Sequence, residues 1–467
     1  MSSALVGPGA RLVDAVSGDV LGGGDLRDAV LDHREVIDAL PPGPVFLLLG
    51  NTVRDVLRYL AAWTSGRPVC LLDPTVEPDA LRRLVEHYRP TAVFGVDGDR
   101  ECPAGYRLAA TGSGDAWRCL VPDTAPVDPR LALLMPTSGS TGNAKLVRLS
   151  APSVLANARA IVDALDIHAD DVALTCLPLS YSFGLSILNS HLVAGATVVV
   201  ADGGPFTAGF WLTVRQHQVT SLSGVPFTYE SLARHGWTAE DHPSLRVLTQ
   251  AGGRLDPGVV SHFHEQLARH GGRFHVMWGQ TEAAPRMTTL HPDDLPAKLG
   301  SVGRPLPGTS VSVRTDGDGE TTRADVVGEL VFRGPNVMLG YAHSRADLGR
   351  GDDQGGVLHT GDLGRVDADG VVWLTGRLGR EVKVAGTRIN LDDVEGLLST
   401  WSPVAAVWRA GRIEVFTERP QDVRPIARHL GERLRAYRSM LAVHHVTRIP
   451  RRANHKVDYP ALVGHAR

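Results

Sequence analysis

From residue 44 onward the chain alternates short, almost wholly apolar runs with stretches whose apolar positions recur every three or four residues: PVFLLLG, TVRDVLRYLAAW, RPVCLLD, PDALRRLVEHY and TAVFGV follow one another. Strands apolar on both faces belong to parallel sheets covered by helices on each side, so the pattern predicts a strand and helix alternation. It returns in LALLM, DVALTCL, ATVVVAD, VTSLSG, LRVLTQ and FHVMWG, each predicted as a strand, with helices predicted at PSVLANARAIVDAL and PGVVSHFHEQLARH. The first two thirds therefore reads as two similar α/β layers. Between about 300 and 375 the texture becomes Gly-punctuated alternation (TSVSVRTD, GELVFRG, GRVDADGVVWLTG), which predicts antiparallel strands and hairpins. The last part carries a strand pair, VAAVWRAGRIEVFTE with its turn at AG, then the helix DVRPIARHLGERLRAY and a basic tail. The expected architecture is α/β. A large N-terminal domain, 1–376, holds two doubly covered, mainly parallel layers and a small antiparallel β subdomain at about 300–376; a small α+β domain, 377–467, follows.

A length of 467 residues with 43% hydrophobic and 21% charged positions fits a soluble multi-domain chain. The net charge of −3 gives no global attraction to nucleic acid or anionic lipid, so neither is expected as a partner and any phosphate handling must be local. Cys70, Cys102, Cys119 and Cys176 lack CxxC spacing and disulfide density, which fits a reducing compartment. No apolar run approaches the roughly 20 residues that span a bilayer, and no N-terminal basic and apolar leader is evident, so a cytoplasmic location is expected.

One compositional bias marks out individual positions. Of 48 Lys and Arg residues only four are lysines, at positions 145, 298, 383 and 456. Lysine is a compact point charge where arginine is a broad fork, so lysines kept against such a bias mark sites that need an ammonium. Lys145 closes MPTSGSTGNAKLV, residues 135–147, directly after the strand predicted at LALLM. Six consecutive Thr, Ser and Gly residues offer hydroxyls, free backbone N–H groups and glycine flexibility, a combination suited to polyphosphate. A Ser/Gly run alone is more often a linker; the preceding buried strand and the terminal lysine favour the phosphate reading. Leu146 follows the lysine, which excludes the Walker A pattern.

TSGSTGNAK resembles the phosphate loop of the adenylate-forming superfamily, which includes acyl- and aryl-CoA synthetases, peptide-synthetase adenylation domains and luciferase; the motif style is nearest to AMP-forming acyl-CoA synthetases. Further stretches are similar to that family's motifs, in its order: LPLSYSFGLS (177–186), AGGR (251–254), WGQTEAAPRMT (278–288), HTGDLG (359–364), GRLGREVKVAGTRINLDDVE (376–395) and NHKVD (454–458).

The resemblance implies ATP and Mg²⁺ as cofactors and a two-step reaction. A carboxylate attacks the α-phosphorus of ATP to give an acyl adenylate and pyrophosphate; CoA or a phosphopantetheine thiol on a carrier protein then takes the acyl group and releases AMP. Thr137, Ser138, Gly139, Ser140, Thr141, Gly142 and Lys145 would hold the β- and γ-phosphates, and Gly252, Gly253 and Arg254 the adenine side. Trp278 stands where the family has a tyrosine that stacks on adenine, followed by Gly279, Gln280 and Thr281. Glu282 would coordinate Mg²⁺, which favours carboxylate and phosphate oxygens. Asp362 would accept from the ribose hydroxyls with Arg377 as its cationic companion. Lys456 would bridge the substrate carboxylate and the α-phosphate, offsetting the repulsion of two anions. Lys383 and Gly386 lie on the face used in the second step, reached by rotation of a mobile small domain about Gly379. Thr281 is a further catalytic candidate. Tyr181, Ser182, Phe183, His191, Ala283, Ala284 and Arg286 would line the acid pocket; Arg286 reads either as a clamp for a second anionic group or as half of a salt bridge. Lys298 reads as a loop charge.

Some positions depart from the family. Gly379 replaces the usual hinge Asp or Lys, Tyr181 stands where many members have His, and His455 replaces the glycine before the terminal lysine. SYSFG lacks the aspartate that amino-acid-activating members use. Other acceptors and activities stay open: an amine acceptor, an activated small oxyacid such as nitrite, or a non-catalytic nucleotide-binding homologue. Retention of Lys145, Glu282, Asp362 and Lys456 together argues against the last.

Overall fold

The computed structural model describes residues 5–96, 100–136, 145–315, 319–384, 387–398, 401–409, 411–434, 441–452, 456–459 and 461–462. The phosphate loop 137–144, Gly386, Asn454 and His455 lie outside the described residues, as does the side chain of Lys383. The chain forms two compact units, Met1–Ser310 with Phe332–Leu358, and Val311–Val331 with His359–Arg467.

In the first unit the apolar runs build two large sheets. One has eight strands, in the order 340–342, 146–150, 131–136, 69–72, 45–48, 92–94, 116–119, 106–109. Its centre is parallel: Val45–Leu48 pairs with Val69–Leu72 and Ala92–Phe94, and Val69–Leu72 with Leu131–Pro136. The other has nine strands, ordered 304–305, 286–290, 273–279, 247–250, 221–224, 172–174, 197–200, 11–14, 20–22. Six of these are mutually parallel, Arg273–Gly279 through Arg11–Asp14. Val45–Leu48 and Val69–Leu72 are buried along their whole length, as strands covered on both faces must be.

Helices join these layers. Thr52 caps the helix Val53–Thr64, accepting from Asp55 N at 3.2 Å, and Ser150 with Ser153 forms a reciprocal capping box on Ala151–Leu165. Tyr59 on the first of these donates to Asn189 on the helix Ser182–Val193 at 3.1 Å, tying elements of the two layers together. The segment Phe332–Leu358 returns to this unit: Gly340–Ala342 pairs antiparallel with Leu146–Ser150, setting Tyr341 opposite Val147. Fully buried Arg148 anchors the return, donating to Asp353 at 2.6 Å and to the carbonyls of Arg350, Gly351 and Leu339.

The second unit contains a five-stranded sheet, in the order 319–321, 310–315, 328–333, 357–366, 372–377. A hairpin of Glu381–Val384 and Thr387–Asn390, the helix Leu391–Leu398, and a sheet of Val404–Arg409, Arg412–Thr417 and Leu441–His445 beside the helix Val423–Leu434 complete it. Arg380 ties its parts together. The guanidinium meets Asp392, donates to Glu395 at 2.7 Å and lies 4.3 Å over the Tyr459 ring. No helix among the described residues is long and apolar enough to cross a membrane.

Candidate active site

Leu146–Ser150 starts one residue after Lys145, so the strand fixes where that lysine emerges. Its ammonium sits 3.9 Å from the centroid of the Tyr341 ring, a cation–π contact that the neighbouring strand Gly340–Ala342 makes possible. The phenol of Tyr341 donates to Glu282 Oε1 at 2.8 Å. Desolvation, first, and the carboxylate beside it push the Tyr341 pKa well above its ordinary value, so the hydroxyl remains a donor. One tyrosine thus holds the lysine of the Ser/Gly loop at its face and the glutamate of the Thr-Glu motif at its hydroxyl.

Glu282 lies in the short 3-10 turn Thr281–Ala283 that ends the long strand Arg273–Gly279. Gln280 N donates to Pro285 O at 2.9 Å, Ala283 N to Gln280 O at 2.9 Å, and Ala284 closes the turn at φ 63°, before a cis Ala284–Pro285 bond. A Cβ on Gly279 would come within 2.0 Å of Pro285 O, so this close turn needs glycine there. Asn336 donates to the Ala283 carbonyl at 2.7 Å and Met338 N to the Glu282 carbonyl at 2.9 Å, so the returning segment braces the turn from outside.

The motif LPLSYSFGLS opens the helix Ser182–Val193, which is buried on nearly every side. Ser182 meets Thr281, Oγ to Oγ1, at 3.0 Å. Phe183 lies beneath the Arg286 guanidinium at 4.8 Å, and Ser186 accepts from Arg286 Nε at 3.1 Å. Tyr181 packs edge-on to Phe183, and burial raises its pKa to about 12. Its hydroxyl closes on the AGGR turn: a Cβ at Gly252, whose φ is +88°, would lie 2.8 Å from it. Gly253 and Arg254 are exposed beyond that turn. His191 is enclosed, its Nδ1 bonded to the Ile187 carbonyl at 2.8 Å; burial, chiefly, lowers its pKa to about 4, and Arg286 adds to this. Trp278 is only 6% exposed and pairs with Thr288 across the sheet, and Ala283 is fully buried.

Asp362, Arg377, Lys383 and Lys456 belong to the second unit. Asp362 pairs with Arg377 across adjacent strands, and Arg377 Nε donates to its Oδ1 at 2.7 Å. The carboxylate is buried while the arginine is half exposed. Gly379 follows at φ +74°, with nothing near its missing side chain. Lys383 stands opposite Arg388 in its hairpin. Lys456 is partly buried, its carbonyl accepting from Arg452 N at 2.9 Å beside a bridge between Arg451 and Val457.

The structure therefore gathers Lys145, Thr281, Glu282, Tyr181, Ser182, Phe183, Arg286 and Gly252 in one unit, and adds Tyr341, Ser186, Asn157 and Asn336, which sequence reasoning did not single out. Among the described residues no three His, Cys, Asp or Glu side chains converge as a metal site. A single partly buried carboxylate with one oxygen held by Tyr341 suits a cation whose other ligands are water and phosphate.

A family model described as AMP-binding enzyme matches residues 38–342. Indoleacetate–CoA ligase of Aromatoleum aromaticum is 31% identical over 316 residues, 66% of this chain and 59% of that protein. 2-Succinylbenzoate–CoA ligase of Bacillus subtilis is 28% identical over 70% of this chain and 67% of its own length. The chain thus spans less than two thirds of the first of these relatives. An o-succinylbenzoate CoA synthetase structure from Bacillus subtilis, solved with its acyl-adenylate intermediate, superposes with a TM-score of 0.76 at 21% identity, covering 100% of this chain and 96% of that one.

Proposed function

This chain belongs to the AMP-binding enzyme family, and from that premise we propose that it activates a carboxylic acid with ATP, releasing pyrophosphate, and passes the acyl group to CoA or a carrier-protein thiol with release of AMP. The observation that carries this reading is the pairing through Tyr341 of Lys145 with Glu282, a cation and a carboxylate brought to one point from sequence motifs far apart. A polyphosphate needs the first and its metal counter-ion needs the second.

In this reading Thr137–Gly142 and Lys145 bind the β- and γ-phosphates. Glu282 holds Mg²⁺, which supplies charge neutralisation at the phosphates when bound. Gly252, Gly253, Arg254, Trp278, Gly279 and Gln280 border the adenine, and Asp362, oriented by Arg377, accepts from the ribose hydroxyls. Lys456 draws the acid's carboxylate against the α-phosphate. Thr281, fixed by Ser182, donates to oxygens at the reacting centre. Lys383 and Gly386 serve the thiol step after rotation about Gly379. Tyr181, Ser182, Phe183, His191, Ala283, Ala284 and Arg286 surround the acid, and burial keeps Tyr181 neutral and His191 uncharged there.

Isotope exchange between pyrophosphate and ATP, screened over aryl, acyl and amino acids, tests the first step, and product mass with and without CoA tests the second. Acid-dependent exchange followed by CoA thioester formation is expected. Nucleotide binding without exchange for any acid would leave only a nucleotide-binding role.

A further inference from the structure

We propose that the acid carries a second anionic oxygen group, a carboxylate for choice, which Arg286 binds at the far end of the acid pocket. This rests on the proposed ligase reading and names its substrate class. Arg286 is 3% exposed. Its guanidinium has five N–H donors, and the protein acceptors it reaches are Ser186 Oγ and Met277 Sδ, both at 3.1 Å, with Phe183 beneath it. None of these carries charge, and among the described residues no carboxylate pairs with it. Two other buried arginines contrast with this: Arg58 meets Asp55 at 2.9 Å and Arg148 meets Asp353 at 2.6 Å. A buried cation without a counter-charge is costly, and an anion entering the site removes that cost. Burial lowers the Arg286 pKa to about 9, which leaves the group cationic at neutral pH.

The backbone holds this residue firmly. Asn157 donates to the Arg286 carbonyl at 2.6 Å and accepts from its N–H at 3.3 Å, so the side chain is placed by two polar contacts that do nothing else for the guanidinium. The position also sets a length. Ser182 meets Thr281 and Ser186 meets Arg286, and these serines are four residues apart on one helix. Thr281 and Arg286 are therefore separated along that helix by about one turn, roughly 5–6 Å. An acid whose second anionic group lies across a benzene ring, or across a short aliphatic spacer, matches that span.

The test uses the full chain and matched acids that differ only in the distal group, such as terephthalate against 4-methylbenzoate and adipate against hexanoate. Pyrophosphate exchange should favour the diacid of each pair by at least tenfold in kcat/KM. Arg286→Met should abolish that preference, and Arg286→Lys should keep part of it. Melting temperature gives a second readout that needs no turnover: diacids at millimolar concentration should raise it in the wild type and not in Arg286→Met. The unliganded Arg286→Met protein should melt at or above the wild type, because an unpaired buried charge is gone. Equal use of monoacids and diacids by the wild type, with exchange intact, overturns the inference while the ligase reading stands. Absence of exchange with every acid sinks the ligase reading, and absence of any diacid-induced melting shift then sinks this one too. A variant that melts far lower and loses all acids equally marks Arg286 as structural only, which also overturns it.

Discussion

Tyr341 donates its phenol to Glu282 at 2.8 Å while its ring lies under the ammonium of Lys145. The tyrosine is a positioning residue, since it holds both charged groups and adds none. Tyr341→Phe keeps the ring and loses the hydrogen bond, so the glutamate loses its fixed orientation. A hydrogen bond to a charged group is worth about 1.5–3 kcal/mol, so the Mg²⁺ concentration giving half-maximal exchange should rise about tenfold or more. Lys145-dependent ATP affinity should change little. An unchanged Mg²⁺ dependence would show that Glu282 needs no such support.

The two small-unit lysines should separate by half-reaction. Lys456→Ala is expected to lower pyrophosphate exchange by at least about a hundredfold with ATP binding retained, because the stabilisation it supplies appears only as the two anions meet. Lys383→Ala should leave exchange within a few-fold and depress thioester formation. Calorimetric ATP titration beside the two rate assays distinguishes them; the opposite pattern would exchange their roles.

Gly379 has a φ of +74° and lies between two ion-paired arginines, Arg377 with Asp362 and Arg380 with Asp392 and Glu395. Proline fixes φ near −65°, so Gly379→Pro is incompatible with this backbone. Thioester formation is expected to fall more than exchange does. Loss of both by the same factor would mean that the residue matters for folding and not for alternation.

His191 gives a pH signature. Its pKa falls from 6.5 in the unfolded chain to about 4 in the folded one, through burial first. Between those values the unfolded chain binds the extra proton, so stability is full above about 6.5 and declines as pH falls toward 4. The whole effect amounts to about 3 kcal/mol. His191→Asn, which keeps a donor for the Ile187 carbonyl, should flatten the dependence of melting temperature on pH between 7 and 5 relative to the wild type. Parallel curves would show that His191 is already protonated in the fold.

Much of this was legible in order along the chain. PVFLLLG, RPVCLLD and FHVMWG are strands because apolar runs bounded by Gly, Pro or Asp leave few alternatives, and the eight- and nine-stranded sheets correspond to the two expected α/β layers. Lys145 stood out as a residue type in patterned surroundings, and Glu282 only through the resemblance of WGQTEAAPRMT to a family motif. The helix Ser182–Val193 did not, since it is buried on all sides and so shows no apolar stripe. Tyr341 was hidden for another reason. Its place depends on pairing with Val147, a contact between segments far apart in sequence, and no local pattern reports such a register. Arg286 was visible as a charge, but a clamp and a salt bridge looked alike until its surroundings showed no carboxylate among the described residues.

The chain leaves the first unit at Ser310, returns at Phe332 and departs again after Leu358, so the second unit is assembled from two separate stretches. Anyone grafting that unit onto another scaffold must therefore move both pieces. A splice at Gly376 alone would cut strand Val372–Arg377 before its last residue and split the Asp362 and Arg377 pair, leaving Asp362 with the donor while Arg377, Lys383 and Lys456 travelled to the recipient. Recombination between homologues should tolerate exchange of the whole two-piece module better than any single crossover inside it.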